Sequence, residues 1–188
     1  DSRVGKHLVG AARLDEALPP LRRAAAARLA RSDLHGAISM LRLHDRCCQE
    51  LDLPGEHSEV AQRQLLTVQL LVAKGRFAEA ETMAEALVQR MGSQRVGAQA
   101  LCELGLCLLK RGRLDDAEIQ TRRAAALARN LGDHALEAKA LGVLAEGARM
   151  RGRYRQALSL GRHAVDLCRA ANDVGTLGSV LLLMGQAH

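Results

Sequence analysis

The amino-acid sequence predicts an all-α fold, namely an α-α superhelix that winds as a right-handed solenoid of helical hairpins. Its 188 residues include one Tyr, one Phe and no Trp, although 48% are hydrophobic. The core must therefore be built from Leu, Ala, Val and Met, most of which favour helices. Apolar residues recur with the three- and four-residue spacing of a helix stripe. A short motif also recurs about every forty residues, which is typical of a repeat architecture.

Four related heptads carry this period. They are RSDLHGA at 31–37, KGRFAEA at 74–80, RGRLDDA at 111–117 and RGRYRQA at 151–157. Their closing alanines follow one another after 43, 37 and 40 residues. Upstream of the third heptad, a second set of positions returns after forty residues as Leu101 and Leu141, Leu104 and Leu144, and Gly105 and Ala145.

Each heptad predicts the turn of a helical hairpin. Its glycine can adopt the left-handed conformation that ends a helix, and we expect this at Gly75, Gly112 and Gly152. In the second and third heptads Glu79, or Asp115 and Asp116, then lie in the first turn of the second helix, where the helix dipole favours negative charge. The closing alanine is small enough to lie where two helices cross closely.

The breaks between hairpins complete the element boundaries. NLGDH at 130–134 and AANDV at 170–174 each contain a stop followed by an Asp suited to an N-cap. LDLPGEHSE at 51–59 contains the Pro and Gly of a longer connection. The sequence thus predicts ten helices, near residues 2–11, 14–31, 34–51, 57–73, 77–91, 94–110, 114–131, 134–150, 154–171 and 174–188.

Charge and composition argue against several classes of protein. The net charge is +6, and only four of the 27 basic residues are lysines. Acidic residues are interspersed with the arginines, and the chain lacks the aromatic residues on which bases stack, so nucleic-acid binding is not expected. No stretch approaches the length of a membrane span, and the first residues do not have the layout of a signal peptide. We expect a fragment of a cytoplasmic protein.

The helix pairs resemble tetratricopeptide repeats of the long kind, with about forty residues per unit. The residues that carry the resemblance are Leu104, Gly105, Gly112, Leu114, Ala117 and Ala124, and their counterparts between 141 and 164. The usual aromatic residue of the first helix and the closing Pro are missing. The resemblance implies a single array over 1–188, with repeats at 14–51, 57–91, 94–131 and 134–171 and a half repeat at 174–188.

Residues 10–42 are similar to the segment that follows the ATPase core in large bacterial signalling ATPases, including those fused to Ser/Thr kinase, cyclase or transcription-regulator modules. This resemblance implies that the array is the sensor or partner-binding arm of a larger polypeptide. The chain contains no G-x-x-x-x-G-K-[ST] motif, so any ATPase or kinase activity would lie outside it. We expect no enzyme and no cofactor in these residues.

The resemblance also implies a concave groove lined by the first helix of each hairpin. A peptide or protein partner would then contact Gln62, Gln69, Gln99, Cys102, Lys139, Glu146, Arg149 and Gln186. The Lys and Asn of the family's carboxylate clamp are replaced by residues such as Leu65 and Gln69, so binding of chaperone C-termini is not expected. The alternative is a small-molecule effector pocket, as in ATPase-linked transcription activators, near Gly142 and Cys102.

One group of residues suggests a metal site. His44, Cys47 and Cys48 share one helical face and could hold a soft metal. A structural zinc site needs four ligands, so buried thiols and a surface imidazole explain the pattern better, and we expect no metal. The five cysteines lack a disulfide spacing, which fits a reducing compartment.

The last residues bear on assembly. LLLMGQAH, at 181–188, forms a predicted helix without a hairpin partner, which leaves an apolar face open. We therefore expect self-association through the helices at 154–188.

Overall fold

The computed structural model describes residues 1–170 and, beyond them, Gly175, Leu177 and Gly178. Within these residues all regular elements are helices that pack as successive hairpins. The nine helices are α1 (Ser2–Gly10), α2 (Leu14–Ala30), α3 (Leu34–Glu50), α4 (Ser58–Ala73), α5 (Phe77–Met91), α6 (Arg95–Lys110), α7 (Leu114–Asn130), α8 (His134–Met150) and α9 (Tyr154–Ala170). Each begins and ends within one residue of its predicted position. The all-helical prediction is confirmed.

The chain divides into two compact units. The first, Asp1–Met83, contains α1 to α4 and the beginning of α5. In it, α2 packs against α1, α3 and α4, so that each helix contacts its neighbour and α2 also contacts the next first helix. The core of this unit includes Leu21, Met40 and Leu66.

The second unit begins at Ala84 and contains the rest of α5 and the helices α6 to α9. Here α7 packs between α6 and α8, α8 packs against α9, and α6 also contacts α8. The second helices begin at Leu114 and Tyr154, forty residues apart, as the sequence predicts. Consecutive first helices, α6 and α8, are thereby brought side by side.

The hairpin turns have the predicted conformation. Gly75, Gly112 and Gly152 have φ angles of 72°, 77° and 71°, in the left-handed region that glycine adopts without steric cost. At the second of these turns, the Arg113 amide donates to the Leu108 carbonyl oxygen over 2.9 Å. In the first heptad Ser32 occupies this position with a φ of 59°, so the turn tolerates a residue other than glycine.

The small residues allow close crossings. The four closing alanines are all buried, as predicted, and they are Ala37, Ala80, Ala117 and Ala157. Where α6 crosses α7, a Cβ atom on Gly105 would lie 2.0 Å from Thr121 Oγ1. The two helices can approach this closely because position 105 has no side chain.

The predicted N-cap at Asp133 is confirmed, whereas the last predicted helix lies largely outside the described residues. Asp133 is an N-cap, because its carboxylate accepts a hydrogen bond from the Leu136 amide over 3.1 Å. The helix predicted at 174–188, with its open apolar face, lies largely outside the described residues, and so does Gln186. None of the helices in the described part of the chain is both long and apolar enough to span a bilayer.

Candidate functional site

Polar and charged side chains cluster where α6 and α8 pack side by side. We call this surface the α6–α8 face and define it by Gln99, Glu103, Lys139, Glu146 and Arg149. The two helices belong to consecutive hairpins, and α8 contacts α6 directly. The forty-residue period places Lys139 on α8 at the position that Gln99 holds on α6.

Lys139 and Glu103 form an ion pair between the two helices. Lys139 Nζ donates to Glu103 Oε1 over 2.5 Å. The Glu103 side chain is only 3% exposed, whereas the Lys139 side chain is 38% exposed. Burial acts to lower the pKa of Lys139, but the charge and hydrogen bond of Glu103 outweigh it, so this pKa lies above its usual value. The ammonium group is therefore charged at neutral pH.

Arg149 and Glu146 form a second pair, within α8. The guanidinium donates twice to the carboxylate, over 2.7 Å from Nε and 2.8 Å from Nη2. The Glu146 side chain is 3% exposed and the Arg149 side chain 29%. The hydrogen bond from Arg149 lowers the pKa of Glu146, against the effect of burial. The carboxylate is therefore ionised and sequestered beneath its cation.

A third pair at the start of the same two helices follows this arrangement. Arg95 Nε, on α6, lies 2.6 Å from Asp133 Oδ2, and Asp133 is the N-cap of α8. The Arg95 side chain is 65% exposed and that of Asp133 only 11%. In all three pairs the carboxylate is buried and the cation meets solvent. Each pair is formally neutral, and in each the carboxylate is less exposed than the cation.

Gln99 adds an acceptor whose hydrogen-bonding capacity is unused. Its Oε1 atom is buried and has no hydrogen-bond partner among the described residues. An unsatisfied buried acceptor costs about 1–3 kcal/mol. Gln99 lies one helical turn from Glu103 on α6.

Comparison with known proteins defines the family of this region. The model of a family described as tetratricopeptide repeat matches residues 98–170, which run from α6 to the end of α9. These residues match the tetratricopeptide-repeat family. The α6–α8 face therefore lies on the first helices of two consecutive repeats, as the sequence resemblance implies.

Solved structures share the fold over most of the chain. One is aspartyl phosphate phosphatase F from Bacillus subtilis, with a TM-score of 0.71 and 13% identity over 92% of this chain and 45% of that one. A Rap protein complexed with Competence and Sporulation Factor gives 0.68 and 12%, over 98% and 62%. Kinesin-light-chain TPR-like repeats from Podosopora anserina give 0.62 and 16%, over 90% and 87%.

These similarities establish the fold alone, because the identities are low. The chain spans about half the length of the first structure and less than two thirds of the second. No curated protein matches the chain in sequence.

The predicted partner-binding residues are distributed unequally. Lys139, Glu146 and Arg149 lie together with Gln99 on the α6–α8 face. Cys102 is fully buried, so its sulfur packs inside the second unit and not on this surface. Burial also raises the pKa of this thiol to about 12.

Two other predicted residues lie on a different helix. Gln62 and Gln69 are half-buried on α4, in the first unit. Sequence reasoning missed Glu103, which anchors the Lys139 ammonium. A single carboxylate inside the apolar run LCELGLC was the available signal, because such a residue requires a partner when it is buried.

The prediction of a surface imidazole at His44 is wrong. His44 is fully buried, and its two ring nitrogens have partners from different elements. Nε2 lies 3.1 Å from Glu59 Oε2 on α4, and Nδ1 lies 3.4 Å from Cys48 Sγ on α3. The sequence could not show this, because Glu59 is fifteen residues away and on another helix.

The environment of His44 determines its chemistry. Burial lowers the pKa of His44, although Glu59 acts in the opposite direction, and burial raises that of Cys48 to about 11. The thiol is therefore protonated at neutral pH and is not an activated nucleophile. Throughout the described ranges, no three His, Cys, Asp or Glu side chains are grouped so that they could hold a metal ion.

Proposed function

We propose that the chain is a non-catalytic, regulatory interaction module that binds a peptide or protein segment on the α6–α8 face. The observation that carries this proposal is a pair of half-buried cations, Lys139 and Arg149, on a first helix of the region that matches tetratricopeptide repeats. A peptide supplies both N–H donors and charged side chains in one extended strand. The similar Rap protein was solved in complex with Competence and Sporulation Factor, which supports a role in recognition.

The enclosed cavity of the second unit is too small for a small molecule, and two larger spaces, of about 350 Å³ beside Arg31 and about 430 Å³ beside His134, are open grooves on the surface. Between α6, α7, α8 and α9 lies a cavity of about 20 Å³, lined by Leu109, Val143 and Leu160 among others. A cavity of this size holds about one water molecule, whereas ligand pockets measure roughly 300–1,000 Å³. This space is too small for a metabolite.

The chemistry of the candidate nucleophiles supports a non-catalytic role. Cys48 and Cys102 are buried thiols with raised pKa values, and His44 is enclosed with both ring nitrogens engaged. Catalysis requires an accessible group whose pKa suits proton transfer or attack, and none of these three groups meets that requirement.

The resemblance of residues 10–42 supports a place for this module in a larger bacterial signalling protein, such as a signalling ATPase, a Ser/Thr kinase or a transcription regulator. The sequence on either side of these 188 residues in the genome tests that part of the proposal. A nucleotide-binding or kinase domain in the same reading frame would support it. A reading frame without any such domain would contradict it.

Selection from a random peptide library tests the binding function. The immobilised protein should enrich specific peptides, whose affinities are then measured by isothermal titration calorimetry. Leu106→Arg introduces a charged bulky group one turn from Glu103 and should weaken binding by about tenfold or more. The matched control is Ile119→Arg on α7, at an exposed aliphatic residue away from the face. Absence of enrichment, or equal effects of the two variants, would contradict the proposal.

A further inference from the structure

We propose that the outer surface of α9 binds an acidic amphipathic helix of a partner protein. We call this surface the α9 stripe and define it by Tyr154, Arg155, Leu158 and Arg162. Steps of three and four residues link these positions, so they form one row along the helix. The α9 stripe lies on a second helix and shares no residue with the α6–α8 face. The inference therefore goes beyond the proposed function and does not depend on it.

Two large apolar side chains of the α9 stripe are exposed. Tyr154 is 61% exposed and Leu158 is 40% exposed. They are four residues apart and so are neighbours on the helix surface. Covering them would remove apolar surface from water, which favours association. The stripe therefore contains an apolar patch that a partner can bury.

Both arginines of the α9 stripe are available to a partner. Arg155 and Arg162 are exposed, and within the described ranges neither side chain forms a hydrogen bond or an ion pair. Asp166, the one acidic residue of α9, lies one turn beyond Arg162, and the structure shows no ion pair between them. Unlike Lys139 and Arg149, these two cations therefore keep all their hydrogen-bond donors for an incoming carboxylate.

The corresponding surface of α7 is an interface within the chain. The forty-residue period relates Arg155 to Asp115 and Leu158 to Glu118. Both of these carboxylates accept hydrogen bonds from Arg151, in the turn between α8 and α9, and the distance to Glu118 Oε2 is 3.1 Å. The Arg151 side chain is only 14% exposed. The next hairpin thus covers α7 by placing a cation on two carboxylates.

The α9 stripe has the opposite chemistry at these two positions. An arginine and a leucine replace the carboxylates, so a basic turn of the same kind would meet a cation and an aliphatic side chain. Like charges that face each other across an interface are unfavourable. The complementary surface has carboxylates on both sides of an aliphatic residue. Charge complementarity therefore identifies an acidic partner.

The spacing of the α9 stripe fits a helix. Arg155 and Arg162 are seven residues apart, which is two turns and about 10 Å along the axis, and Leu158 lies between them. A helix packed beside α9 has the same rise, so its acidic residues should also be seven residues apart. In heptad notation, abcdefg, the partner has Glu or Asp at position a and Leu at position d.

Fluorescence anisotropy with fluorescein-labelled helical peptides tests the inference. The probe has three heptads with Glu at a, Leu at d, and Ala and Gln elsewhere. The control peptide has the same composition and net charge, but its Glu residues are moved to f, on the opposite face. Two exposed ion pairs correspond to about a fivefold change in affinity, so the wild type should bind the probe about fivefold more tightly than the control peptide. Equal binding of the two peptides would overturn the inference.

Two double variants remove equal charge from different helices. Arg155→Gln with Arg162→Gln changes the α9 stripe, and Arg42→Gln with Arg46→Gln removes two exposed arginines of α3. All four positions are exposed, so both variants should keep the wild-type melting temperature. The first variant should lose the preference for the probe, and the second should retain it. Retention in the first, or equal loss in both, would mean that net charge attracts the peptide and would overturn the inference.

A second copy of the chain and phosphate-bearing molecules are the competing occupants. Two copies joined through the α9 stripe would bring the arginines of one copy toward those of the other, so the probe should displace such a dimer. In sedimentation velocity, a dimer that persists with saturating probe would overturn the inference. A single-stranded oligonucleotide or an anionic vesicle that binds more tightly than the probe, and is lost in Arg155→Gln with Arg162→Gln, would point to phosphate and would also overturn it.

Discussion

The crossing of α6 and α7 allows a quantitative prediction for Gly105→Ala. The new Cβ atom would lie 2.0 Å from Thr121 Oγ1 and 3.2 Å from Thr121 Cβ. Thr121 is buried, and its hydroxyl donates to the Ala117 carbonyl oxygen over 2.7 Å. Rotating Thr121 away would break this hydrogen bond and bury the hydroxyl unpaired. The clash therefore requires a shift of the helices themselves.

Two opposing effects determine how much Gly105→Ala changes the free energy of unfolding. Replacing a glycine inside a helix by alanine stabilises the helix by about 1 kcal/mol. Overpacking a close contact costs about 1–3 kcal/mol, and the short distance to a stiff β-branched side chain places this site in the upper half of that range. We expect the free energy of unfolding to fall by about 1–2 kcal/mol. For a chain of this length the melting temperature should fall by about 3–6 °C.

A double-mutant cycle tests the cause. Urea unfolding followed by far-UV circular dichroism should be measured for the wild type, Gly105→Ala, Thr121→Ala and the double variant. The double variant should be more stable than the sum of the single changes predicts, by about 1–2 kcal/mol, because Thr121→Ala removes the clashing hydroxyl. A rise in stability of Gly105→Ala, or additive effects of the two changes, would refute this account.

Gly147 on α8 provides the matched control. A Cβ atom there would meet Leu109 Cδ1 at 3.3 Å, which is the far end of a flexible side chain. Gly147→Ala should therefore raise the free energy of unfolding, by up to about 1 kcal/mol, because alanine favours the helix more than glycine does. The same substitution should thus have opposite signs at two helical glycines.

Three further predictions concern other sites. The first concerns His44, whose pKa is lowered in the folded state by burial from its usual value of 6.5. As the pH falls below 6.5, the unfolded chain binds a proton at this residue more readily than the folded chain does, so the free energy of unfolding should decrease. Between about pH 7 and about pH 5, the free energy of unfolding of the wild type should therefore fall more than that of His44→Gln, as measured by urea unfolding. Parallel pH profiles of the two proteins would contradict this. Cys48 and Cys102, with pKa values of about 11 and about 12, should resist iodoacetamide in the folded protein and react in urea, as followed by mass spectrometry. Tyr154 and Leu158 are exposed on one face of α9, so we expect the wild type to self-associate as its concentration rises, as measured by sedimentation velocity. The double variant Tyr154→Ser with Leu158→Gln should weaken this self-association. A wild type that stays monomeric at all concentrations would refute the prediction.

The fold was predictable because its signals are local. A left-handed glycine, a following acidic residue and a buried alanine all lie within seven residues, and each has a conformational preference of its own. The turns at Gly112 and Gly152 and the N-cap at Asp133 appear where those preferences place them. Ser32 shows the limit of this reasoning, since the same turn forms there without glycine.

The candidate site was predictable only in part because its geometry depends on contacts between helices. The repeat period placed Gln99 and Lys139 at equivalent positions, and the structure brings both to one surface. The repeat period could not show that Glu103 binds Lys139, since these residues are separated by 36 positions and no helical pattern relates them. The same reason explains His44, whose partner Glu59 belongs to the next helix. Burial of Cys102 likewise results from packing around α6 and not from its own sequence position.

The crossings of α6 with α7 and of α8 with α9 explain how the repeat persists although few residues are identical between its copies. Gly105 faces Thr121 where α6 crosses α7, and the forty-residue period places Ala145 and Gly161 at the corresponding positions of α8 and α9. Each crossing thus has one glycine and one larger residue, but on opposite helices. Backbone approach depends on the combined size of the pair, so the geometry can persist while both residues change. Compensation of this kind predicts that Thr121→Gly would offset the steric clash of Gly105→Ala.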